Sequence, residues 1–227
     1  MATRPGRVLS AAEFAADAIR DMLYHGAVRP GDRLNPDELA ARLQMSKTPV
    51  RDALQGLKLE GLVEVVPRVG VFVKRMTAQE STDVYRLKMA VEPLAASLAA
   101  ERGDERARSE LRRILRRLAG ATARGNVAKA EEAVNDIHQQ LFDMCGSEVV
   151  RETFRVINGR VRLLRFQNMA QKGRLANTLA QHEAVVDAVA RGDAGAAERL
   201  MREHLDDAAR ALQEVIAAND EAADEAS

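Results

Sequence analysis

Three of the four histidines in this chain, His138, His182 and His204, fall in three separate segments with helical periodicity. Imidazole nitrogens are good ligands for Zn²⁺ and Ni²⁺, and three inward-facing histidines can hold such an ion while leaving positions open for another ligand. Scattered histidines are also often satisfied inside a core or partly exposed, so the residues alone leave both interpretations open. The fourth, His25, is expected to end a helix beside Gly26 and is interpreted as structural.

A second group of chemically capable residues, Ser46, Lys47, Thr48 and Arg51, opens another predicted helix. Short hydroxyls at a helix start can reach DNA phosphates, and Lys or Arg can reach base edges such as guanine O6 and N7. Each residue could instead be a helix cap or a solvated charge, and we expect Ser46 to be a cap in either case. Arg51, one turn further on, is the best candidate for reading a base.

Two earlier helices are predicted to support this one. The first begins at Ser10, carries an apolar stripe that starts at Phe14, and stops at Gly26. The second begins at Asn35, which is expected to cap it, and Glu38 is placed to complete a capping box. Turn residues separate the two helices, as a small helical domain requires.

The third helix begins at Ser46 and ends before Gly61, and two short β runs between residues 62 and 73 follow as a hairpin. Three helices and a hairpin predict a winged helix-turn-helix, in which the third helix enters the major groove of DNA. Arg68, in the turn of the hairpin, has the reach for a DNA backbone or minor-groove contact.

From residue 76 the pattern is helical nearly to the end of the chain. Thr77 and Glu80 form a capping box that opens a long helix, in which Pro93 should cause a kink. Its expected apolar stripe is Val84, Leu87, Val91, Leu94 and Leu98. Five more helices are predicted, of which the last three span 148–169, 175–191 and 193–218. Six helices without strands predict an all-α bundle over residues 76–218, followed by a flexible acidic tail at 219–227.

Composition supports a mainly α protein. The chain has 227 residues, of which 46% are hydrophobic but only 3% aromatic, so Leu, Ala, Val and Ile must form the core. Cys145 is the single cysteine, which excludes an intrachain disulfide and a cysteine-based zinc site. No apolar run is long enough to span a membrane and the first residues lack the apolar region of a secretory signal, so we expect a cytoplasmic protein.

The net charge of zero conceals an asymmetry. Residues 1–75 hold 12 Lys and Arg against 9 Asp and Glu, a net charge of +3, and residues 76–227 hold 22 against 25, a net charge of −3. A positively charged N-terminal part is what we expect of a DNA-binding domain, and the remainder of the chain is weakly acidic. We therefore predict a DNA-binding domain over 1–75 and an effector-binding and dimerisation domain over 76–218.

Several motifs in residues 29–73 closely resemble the N-terminal domain of the GntR family of transcription regulators. They are RPGDRL from Arg29, SKTPVRDAL from Ser46, LEGL from Leu59 and GVFV from Gly70. The remainder resembles the effector-binding FCD domain of the FadR-like branch. Its matching pieces are VEPLA from Val91, Ile137-His138, Gln181-His182-Glu183, Gly192-Asp193 and MREHL from Met201.

The resemblance implies a homodimer that binds double-stranded operator DNA and responds to a small carboxylate metabolite. The implied DNA-contacting positions are Ser46, Lys47, Thr48 and Arg51, together with the wing around Arg68 and Gly70. Some family members carry an additional Arg on the second helix, but Asp37 stands there, so we expect no such contact.

The resemblance also implies a divalent metal such as Zn²⁺ or Ni²⁺, because His138, His182 and His204 fall on three family metal positions. The family's fourth ligand is an Asp four residues before the first His, where this chain has Val134. Asn135 could be a weak neutral fourth ligand, and a water or the effector carboxylate could complete the site otherwise. For the carboxylate itself the expected cations are Lys88, Arg162 and Arg165, although each could be a solvated charge.

These features predict a metabolite-responsive transcription regulator, more often a repressor in this family. Two alternatives stay open: a DNA-binding protein with an inert dimerisation bundle that responds to no effector, and a metallohydrolase that uses the three histidines. The second is disfavoured, because no Asp or Glu stands in an acid–base motif beside these histidines and a DNA-binding head has no role in it.

Overall fold

In the computed structural model, which describes residues 10–224, the chain divides into two units at the bond between Arg75 and Met76. The first unit has three helices and three short strands among its described residues. Their bounds are α1 (Ala11–Tyr24), β1 (Arg33–Leu34), α2 (Pro36–Leu43), α3 (Lys47–Leu59), β2 (Val63–Val66) and β3 (Gly70–Val73). The predicted winged helix-turn-helix is confirmed.

The helices of the first unit begin after the predicted N-cap residues. Two other predictions for this unit, on burial in α1 and on a capping box in α2, differ from the structure. Phe14 is 53% exposed, because the buried side of α1 lies one position further round the helix, at Ala15, Ile19 and Leu23. Asn35 Oδ1 caps α2 by accepting from the Asp37 N–H at 3.0 Å. The predicted capping box is absent, since Glu38 accepts from the Asn35 side-chain amide at 2.9 Å and not from its backbone.

The turn between α2 and α3 is tight because Gln44 adopts a left-handed conformation, with φ of 56°. This turn lets α3 pack against α1 and α2, and Val50, Leu54 and Leu57 of α3 are buried in the process. The first unit therefore holds α3 on a core of its own, and the start of α3 remains at the surface.

A third strand, which the sequence did not predict, joins the hairpin. The strand order is β1-β3-β2 and both pairings are antiparallel, with Arg33 opposite Phe72 and Leu34 opposite Val71. The Arg33 guanidinium also donates to the Val69 carbonyl at 2.9 Å. A two-residue strand is too short to show the alternation of apolar and polar residues that identifies a strand, so the sequence of this segment predicts only a turn.

The second unit is the predicted bundle of six helices. Their bounds are α4 (Ala78–Arg102), α5 (Glu105–Ala123), α6 (Val127–Met144), α7 (Glu148–Met169), α8 (Arg174–Arg191) and α9 (Ala194–Asp224). The Thr77 capping box is confirmed, and α4 continues through Pro93. Because α9 reaches Asp224, residues 219–224 are helical where a flexible tail was predicted, and 225–227 lie outside the described residues.

Helix α4 is central to the second unit, since it packs against α6, α7, α8 and α9. Its predicted apolar stripe is wrong in part, because Leu87 and Leu94 are 39% and 46% exposed. Val84 of that stripe is buried, and the other buried positions are mostly small residues, which allow close helix packing, together with Tyr85 and the charged Lys88 and Glu92. A charged pair inside a bundle is costly unless it serves a site, so it marks the region to examine for function.

None of the helices in the described part of the chain combines the length and the apolar character that a bilayer crossing requires.

Candidate functional site

The three candidate metal ligands converge inside the second unit. His138 lies on α6, His182 on α8 and His204 on α9, and all three are buried. One ligand atom from each ring lies within 4.8 Å of the other two. The Nε2 atoms of His138 and His182 are 3.3 Å apart. The structure therefore brings together three residues that are 44 and 22 positions apart in the sequence.

Two of the rings are oriented through Nδ1. The Nδ1 of His182 donates to the Thr178 carbonyl at 2.7 Å, since a carbonyl oxygen can only accept. The Nδ1 of His204 lies 2.8 Å from the Gln181 side-chain oxygen and donates to it. A neutral imidazole that is protonated at Nδ1 carries a lone pair on Nε2, so both rings present a metal-binding nitrogen to the centre of the cluster.

The third ring is held by a buried charged chain. The Nδ1 of His138 lies 3.0 Å from Glu92 Oε2, close enough for electrostatic pairing although its N–H is not aligned for a hydrogen bond. Lys88 Nζ lies 3.7 Å from the other Glu92 oxygen, beyond hydrogen-bond distance. Burial alone would raise the pKa of Glu92, but Lys88 and His138 outweigh it and lower that pKa to about 2.

Burial keeps the three rings neutral at physiological pH. It lowers the pKa of His138 to about 4 and that of His182 to about 3, and it lowers the pKa of His204 well below its ordinary value. Two neutral Nε2 lone pairs at 3.3 Å repel unless a cation lies between them. The donor set, the convergence and the held Nδ1 positions therefore fit a divalent metal.

A partly open cavity lies beside the histidines, with about 320 Å³ of space that includes the solvent at its mouth, and three of its lining residues are cationic. Burial lowers the pKa of Lys88 to about 8, with Glu92 opposing the shift. Arg165 is buried, and its Nη2 has no hydrogen-bond partner in the described structure. The lining residues are Tyr85, Lys88, Val134, Arg165, Asn168, Met169, Arg174, Thr178, His182, His204 and Ala208.

The two arginines predicted to bind an effector occupy different environments. Arg162 forms two hydrogen bonds with the fully buried Glu131, at 3.0 and 2.6 Å, and does not line the cavity. Arg165 lines the cavity and donates to the same carboxylate through Nη1 at 3.4 Å, and its Nη2 has no hydrogen-bond partner in the described structure. The geometry thus separates an arginine that neutralises Glu131 from one that can also meet a ligand.

Val134 lines the cavity and is almost completely buried, so an apolar side chain stands one turn before His138 on the same helix. Asn135 is not among the lining residues, although its side-chain oxygen is buried without a hydrogen-bond partner.

Sequence reasoning missed the groups that hold the ligands in place. Gln181 and Thr178 hold two of the histidine rings by hydrogen bonds, and Glu92 pairs electrostatically with the third. Arg174, which is paired with Asp207, is a further cationic residue of the cavity lining. Gln181 and Glu92 stand inside the motifs that carry the family resemblance, so proximity to those motifs was an available signal. The burial of Lys88 and Glu92 could not be predicted in this way, because only tertiary packing determines which side of α4 is buried.

In the first unit, the start of α3 is an exposed group of polar residues. Ser46 holds the N-cap position, but its side chain makes no capping hydrogen bond, contrary to the prediction. The first N–H groups of α3 are therefore left for another acceptor, and an exposed, uncapped helix start attracts phosphate. Lys47 pairs with Asp37 at 2.9 Å, and both side chains are more than half exposed, so that pair is weak.

Thr48 and Arg51 are both exposed on the first turns of α3. Arg51 forms no hydrogen bond or ion pair with another residue of the described structure, so its guanidinium can reach a base edge without losing a protein contact.

Two wing positions lie in the hairpin turn. Arg68 is exposed, with φ of 65°. Gly70 has φ of 152° and begins β3, and an added Cβ there would lie 3.0 Å from Arg33 Nε. A larger residue at position 70 would push away the side chain that holds the Val69 carbonyl, so glycine preserves the shape of the wing.

Comparisons with known proteins match both units. Residues 11–73 match the model for bacterial regulatory proteins of the gntR family, and residues 83–207 match the model for the FCD domain. The Nta operon transcriptional regulator of Aminobacter aminovorans is 33% identical over 63% of this chain and 67% of that protein. The HTH-type transcriptional repressor RspR of Escherichia coli K12 is 23% identical over 87% of this chain and 86% of its own.

A solved structure has the same fold. Escherichia coli McbR/YncC superposes with a TM-score of 0.82 at 20% identity and covers 91% of this chain and 99% of its own.

Proposed function

Because the chain belongs to the GntR family of bacterial regulatory proteins and carries an FCD domain, it is a DNA-binding transcription regulator and not an enzyme, and we propose that it is a repressor that a small carboxylate controls. The observation that carries the proposal is the cavity of the second unit. It combines three buried histidines with Lys88 and with a buried Arg165 whose Nη2 has no partner.

An anionic ligand suits this cavity better than a neutral one. An unpartnered buried N–H costs about 1–3 kcal/mol, and the cost is larger for a charged group, so Arg165 Nη2 favours a ligand that accepts a hydrogen bond there. Lys88 and Arg174 line the same cavity, and Arg174 is also paired with Asp207 at 2.8 Å. A carboxylate supplies both the acceptor oxygens and the negative charge.

His138, His182 and His204 would hold a divalent metal, which when bound offers the carboxylate oxygens a Lewis-acidic partner. Glu92 orients the His138 ring, Gln181 orients His204, and Val134 leaves the usual carboxylate position without a ligand. The position left open would then be available to the effector or to water. Asn135 could be a weak fourth ligand only if its side chain turned toward the cavity.

The start of α3 would read the operator. Ser46 and Thr48 contact phosphates, Lys47 exchanges Asp37 for a phosphate, and Arg51 reads a base. Arg68 and Gly70 would place the wing against the adjacent backbone or minor groove. Effector binding changes operator affinity only to the extent that it binds the DNA-competent and DNA-incompetent arrangements differently.

The repressor assignment rests on the similarity to RspR, which is named as a repressor. The alternative in which the second unit only dimerises and binds no effector is disfavoured. Burial of Lys88, Glu92 and Arg165 lowers the stability of the fold, and a bundle that binds no ligand has no use for these charges.

A ligand screen followed by a DNA-binding assay tests the proposal. Thermal denaturation of the zinc-loaded and the metal-stripped protein is measured with a panel of mono-, di- and hydroxycarboxylates and sugar acids. At a concentration 100 times its Kd, a true ligand stabilises the fold by about 2.7 kcal/mol. The best compound should then weaken the complex with DNA from upstream of the gene by about 5- to 150-fold. A specific complex that no carboxylate weakens contradicts effector control, and the absence of any specific complex contradicts DNA recognition itself.

We also propose a homodimer that forms through the exposed apolar residues of α4 and α7. Leu87 and Leu94 on α4 and Val149 and Val156 on α7 are exposed, the two valines by 75% and 77%. Half-buried apolar residues of the same two helices pack into one cluster around Phe154, so the exposed residues extend an existing apolar surface. An apolar surface of this kind indicates contact with another protein surface.

Leu94→Glu should dissociate the dimer. Each buried Leu contributes about 1.5–3 kcal/mol and a two-fold interface contains it twice, so the dimer Kd should rise at least 100-fold. Sedimentation velocity measures the change. Leu59→Glu is the matched control, because Leu59 is 87% exposed on α3 and lies outside the proposed interface. An unchanged dimer in Leu94→Glu would place the interface elsewhere.

A further inference from the structure

A second cavity in the second unit adjoins the metal-side cavity at a single residue. It is a partly open cavity between the first half of α4 and the middle of α9, with about 420 Å³ of space that includes the solvent at its mouth. Tyr85 lines both cavities and is the one residue that the two linings share. Its ring is almost completely buried, and Lys88 Nζ lies over it, 4.9 Å from the ring centre. Tyr85 is therefore the wall between a cationic compartment and this second one.

The second cavity differs in chemistry from the first. Met89, Ala209 and Leu212 supply apolar walls. Apart from Tyr85 and Ser81, the polar residues of the lining are Thr82, Arg86 and Gln213. Leu212 is buried in the cluster that Val84 and Val161 also join. Binding of an apolar ligand in such a cavity is favourable, because it removes apolar surface from water. Among its described lining residues, the cavity has no buried cation that would bind an anion.

Ser81 adds a specific signal. It lines the second cavity and is 2% exposed, and its hydroxyl has no hydrogen-bond partner in the described structure. A helical serine usually bonds the carbonyl four residues earlier or faces water, and Ser81 does neither. A buried hydroxyl without a partner is costly, so this one is placed to meet a polar atom of a ligand.

We propose that the two cavities form one bipartite effector site for an amphipathic carboxylate. The carboxylate lies with Lys88 and Arg165, the Tyr85 side chain turns aside so that the apolar body crosses into the second cavity, and a hydroxyl or carbonyl on that body reaches Ser81. This inference rests on the proposed carboxylate function and names the ligand class more closely.

A chain-length series tests the inference by calorimetry on the zinc-loaded full-length protein. The ligands are acetate, butyrate, hexanoate and octanoate. Each methylene buried in the second cavity should tighten binding about fourfold, so three buried methylenes give about 60-fold, followed by a plateau when the cavity is full. Affinity that does not change from acetate to octanoate overturns the bipartite site and leaves carboxylate control intact. If none of the four binds, the bipartite site is overturned, and effector control is then decided by the wider carboxylate panel alone.

Ala209→Leu provides an independent variant, because the added side chain fills the second cavity. Octanoate should then bind no more tightly than acetate does to the same variant. Ala196→Leu is the matched control, since it makes the same change on α9 away from both cavities and should keep the full chain-length dependence. Chain-length dependence that survives in Ala209→Leu would contradict the assignment of this cavity.

The role of Ser81 is tested by comparing hexanoate with 6-hydroxyhexanoate. The wild type should favour the hydroxy acid about 2- to 10-fold more than Ser81→Ala does, which corresponds to one net hydrogen bond. Ser81→Ala should keep the alkyl chain-length dependence, which shows that the cavity is intact. An equal preference in the two proteins would overturn the contact with Ser81.

Discussion

Arg51→Ala should weaken operator binding by about 30-fold to more than 1,000-fold. A side chain that reads a base edge contributes about 1–3 kcal/mol, and a dimer on two half-sites uses it twice. Arg51 is exposed on α3 without an internal partner, so its removal should not affect folding. Gel-shift titration on operator DNA and on a scrambled duplex of equal length measures both the affinity and the specificity ratio.

Lys58→Ala is the matched control for this experiment. Lys58 is also exposed and cationic on α3, but it lies in the last turn, away from the end proposed to enter the groove. It should change affinity by less than about threefold, the effect of one distant surface charge. If Arg51→Ala weakened binding to operator and scrambled DNA equally, Arg51 would be a phosphate contact and not a base reader.

Val134→Asp should tighten metal binding at least about tenfold. The substitution places an ionised oxygen ligand one turn before His138, in the cavity that His182 and His204 line. It also introduces a buried charge, so the metal-stripped variant should melt below the wild type and gain more from zinc. A competition titration against a chromophoric zinc chelator, with parallel thermal denaturation, measures both effects.

The same variant should bind carboxylates more weakly. The new carboxylate takes a coordination position and repels an anion in the cavity of Lys88 and Arg165. Val134→Asn is the matched control, because it has the same shape and polarity without the charge and should tighten zinc binding much less. Equal zinc affinity in the wild type and Val134→Asp would mean that position 134 does not face the metal.

Local signals predicted the helix boundaries well. The bounds of α7 agree with the prediction at both ends, and Gly192 and Asp193 end one helix and cap the next as expected. The predicted burial of Phe14 and of part of the α4 stripe was wrong, because the neighbours that bury a helix face come from distant parts of the sequence. Leu94 is exposed where Glu92 is buried, which no periodicity in α4 could indicate.

The candidate site was predictable as a set of residue types but not as a network. The three histidines could be identified because imidazoles are rare here and match family positions. That Arg162 pairs with Glu131, 31 residues away on another helix, depends on side-chain directions that the sequence does not contain. The second cavity is a gap between α4 and α9, and only the packed structure shows it.

Strand β1 determines the stage at which the wing loses its conformational entropy. Ordering a flexible side chain during association costs about 0.5–1.5 kcal/mol. Here β1 pairs with β3, and Arg33 holds the Val69 carbonyl before any DNA is present. The conformational entropy of the wing is therefore lost during folding, so a wing that contacts the operator as proposed would bind without this cost at association.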